Sequence, residues 1–251
     1  MIDPASIRRS IVDMTVRSGE GHLGSSFSIV EMLIGVFTAA QRRGKFNPSN
    51  LILSKGHASY AYYAFLREVG LFSTEEFYAV GTTGSKWYGH LPYIGGDARF
   101  PFGSGSLGHG LPFALGLAFA LRARKSTDPV FCIIGDGEAN EGTFWETLLL
   151  INKLRPTGFK VLIDCNNSSE RAVPIGNAIA GLAAAFPYLR FHICDGHSPL
   201  EIHEKLDGGD DAVLICKTQK GFPIPFMMDN PVWHHKIPTS EEARAIEECL
   251  R

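Results

Sequence analysis

Apolar runs at regular intervals in the second half of the chain predict the strands of a sheet. Three of them are rich in β-branched or apolar residues: VFCIIG (130–135), KVLIDC (160–165) and AVLICK (212–217). A fourth run, FHICDG (191–196), is shorter and weaker. Helical patterns over 141–154 and 199–206 lie between these runs. Continuous apolar strands that alternate with helices indicate an α/β fold, with a doubly wound parallel sheet and helices on both faces.

The N-terminal half of the chain is predicted to be largely helical. Periodicity and capping residues predict helices near 4–18, 28–43, 56–69 and 110–124. A stretch rich in glycine, proline and aromatic residues covers 81–110 and contains no repeat. A stretch of this length and composition is typical of an ordered, functional segment. No linker divides the chain, so we expect a single domain over 1–251.

Composition narrows the range of partners. The chain of 251 residues has a net charge of −2, which gives no electrostatic reason to expect nucleic acid or an anionic membrane as a partner. The most apolar stretch, 111–121, is too short to span a bilayer, and the N-terminus lacks a signal-peptide core. Five cysteines without a CxxC pair do not make a disulfide framework. We therefore expect a cytoplasmic protein with four cysteines in its core: Cys132, Cys165, Cys194 and Cys216.

Two polar motifs follow predicted strands at the same edge of the sheet. GDGE (135–138) ends the first strand run, and Asn166 follows the second, 30 residues after Asp136. Because ligands bind beyond the carboxyl ends of parallel strands, we expect both side chains in one cleft. Carboxylate and amide oxygens suit Mg²⁺, which takes its remaining ligands from phosphates and water. The helix that opens near Glu141 adds N–H groups, so the sequence predicts a Mg²⁺-bridged diphosphate.

These motifs resemble thiamine-diphosphate enzymes, in which a GDG turn precedes an asparagine by about one βαβ unit. GDGEANEGTFWE (135–146) resembles transketolases in particular. The resemblance implies the thiamine-diphosphate-binding fold, with thiamine diphosphate and Mg²⁺ as cofactors and Ca²⁺ or Mn²⁺ as substitutes for the metal. Five further segments agree with it along nearly the whole chain: GHLGSS (21–26), LSKGHAS (53–59), YGHLP (88–92), GSGSLGHG (103–110) and PVWHH (231–235).

The resemblance also implies roles for individual residues. Asp136, Asn166 and the carbonyl of Ser168 would hold the metal. His109 stands where transketolases usually have glutamine, and both a structural and a catalytic role stay open for it. The cofactor would be contacted by His57, Gly105, Leu107, Gly137, Glu138, Asn166 and His234. Catalysis would use histidines of the cofactor site and substrate funnel and a glutamate of a carboxylate network at the subunit interface: His22, His57, His90, His234 and Glu141.

The resemblance finally implies one subunit of a split transketolase. Only a short acidic helix is predicted after Pro238, so the pyrimidine-binding and C-terminal domains of the family are expected on a partner chain, in an α2β2 assembly. The complex would transfer a two-carbon ketol unit from a ketose or ketose phosphate to an aldose, and this chain alone would be inactive. Two alternatives stay open: the α subunit of a 2-oxoacid dehydrogenase, and a non-catalytic thiamine diphosphate-binding protein. The departure from the family pattern at 167–170 leaves the identities of donor and acceptor open.

Overall fold

A computed structural model describes residues 2–166, 181, 186–208 and 212–251. Within these ranges the strands form one sheet in the order β1-β2-β3-β5-β4, and every neighbouring pair is parallel. The four predicted strands are confirmed to within one residue at each end. The strands are β1 (Leu51–Leu53), β2 (Val130–Gly135), β3 (Phe159–Cys165), β4 (Arg190–Asp195) and β5 (Ala212–Lys217).

The predicted helices are also present, with small differences at their ends. The helix predicted over 28–43 begins two residues later, after a separate short helix, and the helix predicted over 56–69 begins with a 3₁₀ turn. The described helices are α1 (Pro4–Ser18), α2 (Leu23–Phe27), α3 (Val30–Arg42), α4 (Ser59–Glu68), α5 (Thr74–Ala79), α6 (Gly110–Ala123), α7 (Gly142–Leu154), α8 (Pro199–Asp207) and α9 (Ser240–Cys249).

Alternate residues of the strands enter two separate apolar cores. On β2, Phe131 and Ile133 pack into the core formed with α1, α3, α4 and α8, whereas Cys132 and Ile134 pack against α6 and α7. This division follows from the two-residue period of a strand. Helices therefore cover both faces of the sheet, as predicted, and the polar ends of the strands are left at its carboxyl edge.

The glycine- and aromatic-rich segment 81–109 contains no helix or strand, yet it packs against the helices. Trp87, Leu91 and Phe100 are buried, and Ser104 N–H donates to the carbonyl of Leu91 at 2.9 Å. This fold-back brings the segment over Gly56, at the start of the 3₁₀ turn before α4. The segment 81–109, although it has no regular structure, thus places side chains near the carboxyl edge of the sheet.

The strand cysteines and the apolar segment Leu23–Arg42 both lie inside the fold. All five cysteines are free thiols, and the four in strands are buried as predicted. The segment Leu23–Arg42 is long and apolar enough to cross a membrane, but 89% of its most apolar window is buried inside the protein. Such burial is usual for a core helix of a globular fold.

Candidate active site at the carboxyl edge of the sheet

A cavity of about 270 Å³ lies beyond the carboxyl ends of β2 and β3. It is lined by residues from both ends of the chain, which the parallel sheet brings to one edge. The residues that line it without having been predicted are Ser25, Lys55, Gly135 and Lys220. The predicted site residues that line it are His57, Leu107, Asp136, Gly137, Glu138, Asn166 and His234.

Asp136 and Asn166 follow neighbouring strands and are both held by Asp164. The buried Asp136 donates its backbone N–H to the carbonyl of Asp164 at 3.1 Å, and its carboxylate accepts the N–H of Gly137 at 2.7 Å. Asn166 donates its Nδ2 to Oδ2 of Asp164 at 3.1 Å. The third predicted ligand, Ser168, lies outside the described residues. The described part of the chain holds no group of three His, Cys, Asp or Glu side chains suited to a metal, so the candidate cation site is a carboxylate plus an amide oxygen.

Asp164 is the centre of a buried network beneath the cavity. Its side chain is fully buried, and that of Lys55, which donates to its Oδ2, is 1% exposed. Ser28 donates to the same oxygen at 2.7 Å, and the hydroxyl of Thr218 donates to Oδ1. Burial acts to raise the pKa of Asp164, but the charge and hydrogen bond of Lys55 outweigh it and hold this pKa below its ordinary value. The carboxyl group of Asp164 is therefore ionised next to the amino group of Lys55.

Lys220 brings a second ammonium group to the cavity. It lies in the loop after β5, the residue is 7% exposed, and its Nζ is 2.6 Å from Nδ1 of His234. Gly24 makes room for it, because a Cβ added at Gly24 would lie 3.0 Å from Cγ of Lys220. Buried ammonium groups are costly unless they meet polar or anionic groups, so this position is suited to an anion in the cavity.

His22 lies at the centre of a histidine cluster beside the cavity. Its ring centroid is 5.7 Å from that of His57, 6.1 Å from His90, 5.6 Å from His234 and 4.6 Å from His235. Burial, and next the charges of His235 and His234, lower the pKa of His22 to about 3. Burial is also the main cause that lowers the pKa of His57 well below its ordinary value. Both imidazoles are neutral near neutral pH, where each ring has one donor and one acceptor nitrogen.

Glu138 connects the loop before α6 to β2 through hydrogen bonds. Its carboxylate accepts hydrogen bonds from the hydroxyl of Ser54, from Gly108 N–H at 2.9 Å and from Gly135 N–H at 3.3 Å. Burial raises the pKa of Glu138 above its ordinary value. Both oxygens thus contact the protein itself, and direct contact with a cofactor stays a prediction for this residue. The loop that it holds presents Leu107, 43% exposed, to the cavity.

Four predicted residues lie around the cavity instead of lining it. Gly105 has a φ of +135°, which favours glycine, and His90 is half-buried against Gly56. Glu141 is exposed at the start of α7, so its role at a subunit interface stays a prediction. His22 contacts the rings of two residues that line the cavity, His57 and His234. His109 is exposed, and its Nδ1 lies 3.0 Å from the carbonyl of Leu107, which indicates a local structural role.

The sequence reasoning misses three charged residues of the site: Lys55, Asp164 and Lys220. Lys55 lies inside the LSKGHAS motif, but its charge has no partner in the local sequence. Asp164 is a lone acid in the apolar run KVLIDC, which is a signal that a buried partner must exist. Lys220 follows a parallel strand closely, and the general position of ligands at strand ends could have pointed to it.

The residues present fit a diphosphate bound with a divalent cation. In the described part of the chain, Ser25 Oγ and His22 Nδ1 are buried and have no hydrogen-bond partner, and Ser25 lines the cavity. Buried polar atoms of this kind are rare in proteins, so the position of Ser25 at the cavity is compatible with a hydrogen bond to a bound group. The oxygens of Asp136 and Asn166 are hard ligands suited to Mg²⁺, and Lys220 offers a charged donor for phosphate oxygens.

Comparisons with known proteins agree with this site. The family model for the transketolase thiamine diphosphate binding domain matches residues 4–229. One of the subunits of the apulose-4-phosphate transketolase of Actinobacillus succinogenes is 31% identical over 97% of this chain and 93% of its own length. Rat transketolase (Rattus norvegicus) is 28% identical over 96% of this chain, which spans only 40% of the rat enzyme. The crystal structure of transketolase from Campylobacter jejuni matches with a TM-score of 0.84 at 23% identity, over 99% of this chain and 42% of its own, which confirms the fold.

Proposed function

Because the chain belongs to the transketolase family of thiamine diphosphate-binding domains, we propose that it is the diphosphate-binding subunit of a two-chain transketolase. The complex transfers a two-carbon ketol unit from a ketose or ketose phosphate to an aldose acceptor. It uses thiamine diphosphate and Mg²⁺, for which Ca²⁺ or Mn²⁺ can substitute. The observation that carries this proposal is the meeting of Asp136, Asn166 and Lys220 at one cavity beside a cluster of histidines.

The cavity residues divide between anchoring and proton handling. Asp136 and Asn166 would bind the cation, with Ser168 as the third predicted ligand, and Lys220 would neutralise charge on the diphosphate. Thiamine diphosphate, when bound, supplies the carbanion chemistry that breaks and forms carbon–carbon bonds. The protein then has to hold the sugar and exchange protons with its hydroxyl groups.

The histidine cluster is suited to that second task. His22 and His57 are neutral near neutral pH because burial lowers the pKa of both rings. A neutral imidazole can accept a proton from one hydroxyl and donate from its other nitrogen, which an imidazolium cannot do. His90 and His234 lie close to the same ring of His22 and would extend this hydroxyl-binding surface.

Two observations support a partner chain. A relative that matches nearly end to end is named as one of the subunits of its enzyme. In addition, α6 and α7, whose first turns lie beside the loop at the cavity, expose a group of large apolar side chains, and such patches are typical of surfaces that pack against another protein. The partner would carry the pyrimidine-binding domain, in an α2β2 assembly. The exposed side chains are Phe113, Phe119, Leu149, Leu150 and Leu154.

The proposal is tested by purifying the tagged chain from its native extract and assaying the eluate for ketol transfer with thiamine diphosphate and Mg²⁺. Ketose donors with and without a phosphate, apulose 4-phosphate among them, would be compared. We expect a co-purifying chain and an activity that a bait carrying Asp136→Ala does not recover. A chain that is isolated alone, binds the cofactor and stays inactive would favour the binding-protein alternative, and pyruvate turnover with a lipoyl acceptor would favour the 2-oxoacid dehydrogenase.

The free thiols also bear on the cellular compartment in which the protein resides. Five cysteines without a disulfide support a reducing compartment, and we infer the cytoplasm.

A further inference from the structure

Asp164 joins the four segments that form the floor of the cavity. Its carboxylate accepts hydrogen bonds from Ser28 before α3, Lys55 after β1, Asn166 after β3 and Thr218 after β5. Its backbone carbonyl accepts the N–H of Asp136, at the end of β2. A single fully buried residue therefore contacts both candidate cation ligands, one through its main chain and one through its side chain.

The hydrogen bond to Asn166 fixes which side of the amide reaches the cavity. Nδ2 of Asn166 donates to Oδ2 of Asp164 at 3.1 Å, so the two ends of the amide have different surroundings. With the nitrogen directed at the buried carboxylate, the oxygen is the end that can meet a cation in the cavity that Asn166 lines. An amide rotated by half a turn would direct its nitrogen at the cation, and an NH₂ group does not bind a hard metal ion.

Asp164 itself is not suited to bind the cation. Oδ2 already accepts hydrogen bonds from Ser28, Lys55 and Asn166, and Oδ1 accepts one from Thr218. The ammonium of Lys55 next to it also repels a divalent cation and cancels the negative charge of the carboxylate. The Lys55–Asp164 pair thus acts through hydrogen bonds and leaves the net charge near the cation site unchanged.

We propose that Asp164, held by Lys55, is a positioning residue that turns the oxygen of Asn166 toward the divalent cation. The proposal rests on the proposed function, because it requires a cation at this site. It explains why an amide stands at this position: a side chain there must donate toward Asp164 and accept toward the metal, and asparagine does both. Aspartate has two acceptor oxygens and would meet the carboxylate of Asp164 with like charge.

The first test is Asn166→Asp, assayed by electron paramagnetic resonance of free Mn²⁺ in the presence of thiamine diphosphate, on the chain with its co-purified partner. If ligand charge alone decided affinity, a carboxylate would bind Mn²⁺ at least as well as the amide. Positioning by Asp164 predicts instead that the Mn²⁺ half-saturation rises by about 10- to 100-fold, the usual effect of losing an outer contact of a metal ligand.

The second test removes the positioning pair and leaves Asn166 intact. Lys55→Met combined with Asp164→Leu replaces a neutral buried pair by apolar side chains, which proteins often tolerate. The matched control is Arg8→Met combined with Glu31→Leu, a buried ion pair outside the cavity lining, with side chains 3% and 4% exposed. We expect the half-saturation to rise by about 10- to 100-fold in the first variant and to stay constant in the control.

The Mn²⁺ occupancy and the unfolding temperature distinguish a loss of Asn166 positioning from a loss of structure. Positioning predicts full Mn²⁺ occupancy at high concentration and an unfolding temperature close to that of the control. Half-saturation within about twofold of the unmodified protein in Asn166→Asp overturns the proposal, even where the paired variant does not fold. If the unmodified complex binds no Mn²⁺ with thiamine diphosphate, the proposed function itself is overturned, and the positioning role with it.

Discussion

The ammonium of Lys220 donates a hydrogen bond to Nδ1 of His234 across 2.6 Å. Because an ammonium group can only donate, Nδ1 must accept, and the ring proton of His234 resides on Nε2. Lys220 thereby sets the tautomer of a histidine at the cavity in addition to supplying positive charge. Loss of this lysine is expected to change both properties at once.

Replacement of Lys220 by methionine tests its charge toward the diphosphate. We expect Lys220→Met to weaken thiamine diphosphate binding by about 10- to 100-fold at saturating Mg²⁺, as for loss of a hydrogen bond from a charged donor. Titration calorimetry at low and high salt measures the effect, and the variant should show the weaker salt dependence. The control is Lys236→Met, since Lys236 pairs with Glu242 outside the cavity lining. Equal affinities for Lys220→Met and the unmodified chain would contradict a role in diphosphate binding.

Removal of Asp136 tests the cation site directly. We expect Asp136→Ala to weaken Mg²⁺-dependent cofactor binding by more than about 100-fold, because the diphosphate then meets a cavity without its bridging cation. Asp195→Ala is the control, since Asp195 ends β4 at the same edge of the sheet but does not line this cavity. Cofactor binding that stays dependent on Mg²⁺ in Asp136→Ala would place the cation elsewhere.

The half-buried imidazole of His22 predicts the direction in which acid changes stability. Its pKa is lowered to about 3 in the folded chain from 6.5, so the unfolded chain binds the proton first as the pH falls. This stabilising contribution is fully present above pH 6.5 and is lost progressively as the pH falls toward 3. In His22→Gln, the loss of unfolding free energy between about pH 7 and about pH 5 should be smaller by about 1 kcal/mol, after a discount for solvent screening. Urea unfolding at both pH values measures the difference, and an equal loss in both proteins would contradict a lowered pKa of His22 in the folded chain.

The contact between Gly56 and the segment 81–109 predicts a steric effect at the cavity. A Cβ at Gly56 would lie 2.4 Å from Oγ of Ser104 and 2.7 Å from Cδ2 of His90. Gly56→Ala should therefore lower the unfolding free energy by about 1–3 kcal/mol and raise the KM for the sugar by displacing His90.

The control for this prediction is Gly116→Ala on the exposed face of α6. Among the described residues, no atom other than the adjacent backbone of α6 lies within 4 Å of a Cβ built at Gly116, so alanine there should raise the unfolding free energy by about 0.5–1 kcal/mol. Thermal unfolding of both variants measures the contrast in stability, and steady-state kinetics of Gly56→Ala against the unmodified protein measures the change in KM. A Gly56→Ala protein as stable as Gly116→Ala would contradict the close approach.

The parts of the fold that are predictable from sequence are those with a repeating pattern. The strands β2, β3 and β5 are buried on both faces and therefore appear as continuous apolar runs. The three residues of β1 are too few to show a period, and the order of β4 and β5 depends on pairing across the sheet, which no local pattern records. The class of the sheet could therefore be predicted from the sequence, whereas its full strand order could not.

In the site, too, the residues that could be predicted from sequence are those that lie in a characteristic local motif. Asp136, Asn166, His57 and His234 lie in segments with a characteristic local sequence, and they meet at one cavity. Asp164 has no such motif, because its partners come from strands and loops distant in the chain. A residue whose role is to connect other residues becomes visible only when those residues are brought together.

The order of the strands also limits when the cavity can form. Leu51 of β1 pairs with Phe131 of β2, and the chain must then continue through β5 and Lys220 to His234 before the described lining of the cavity is complete. During synthesis, a ribosome-bound chain that ends before Lys220 cannot bind the cofactor as the finished protein does. Thiamine diphosphate would therefore act late, as a ligand that shifts the completed fold away from unfolding, and not as a guide for the early folding steps.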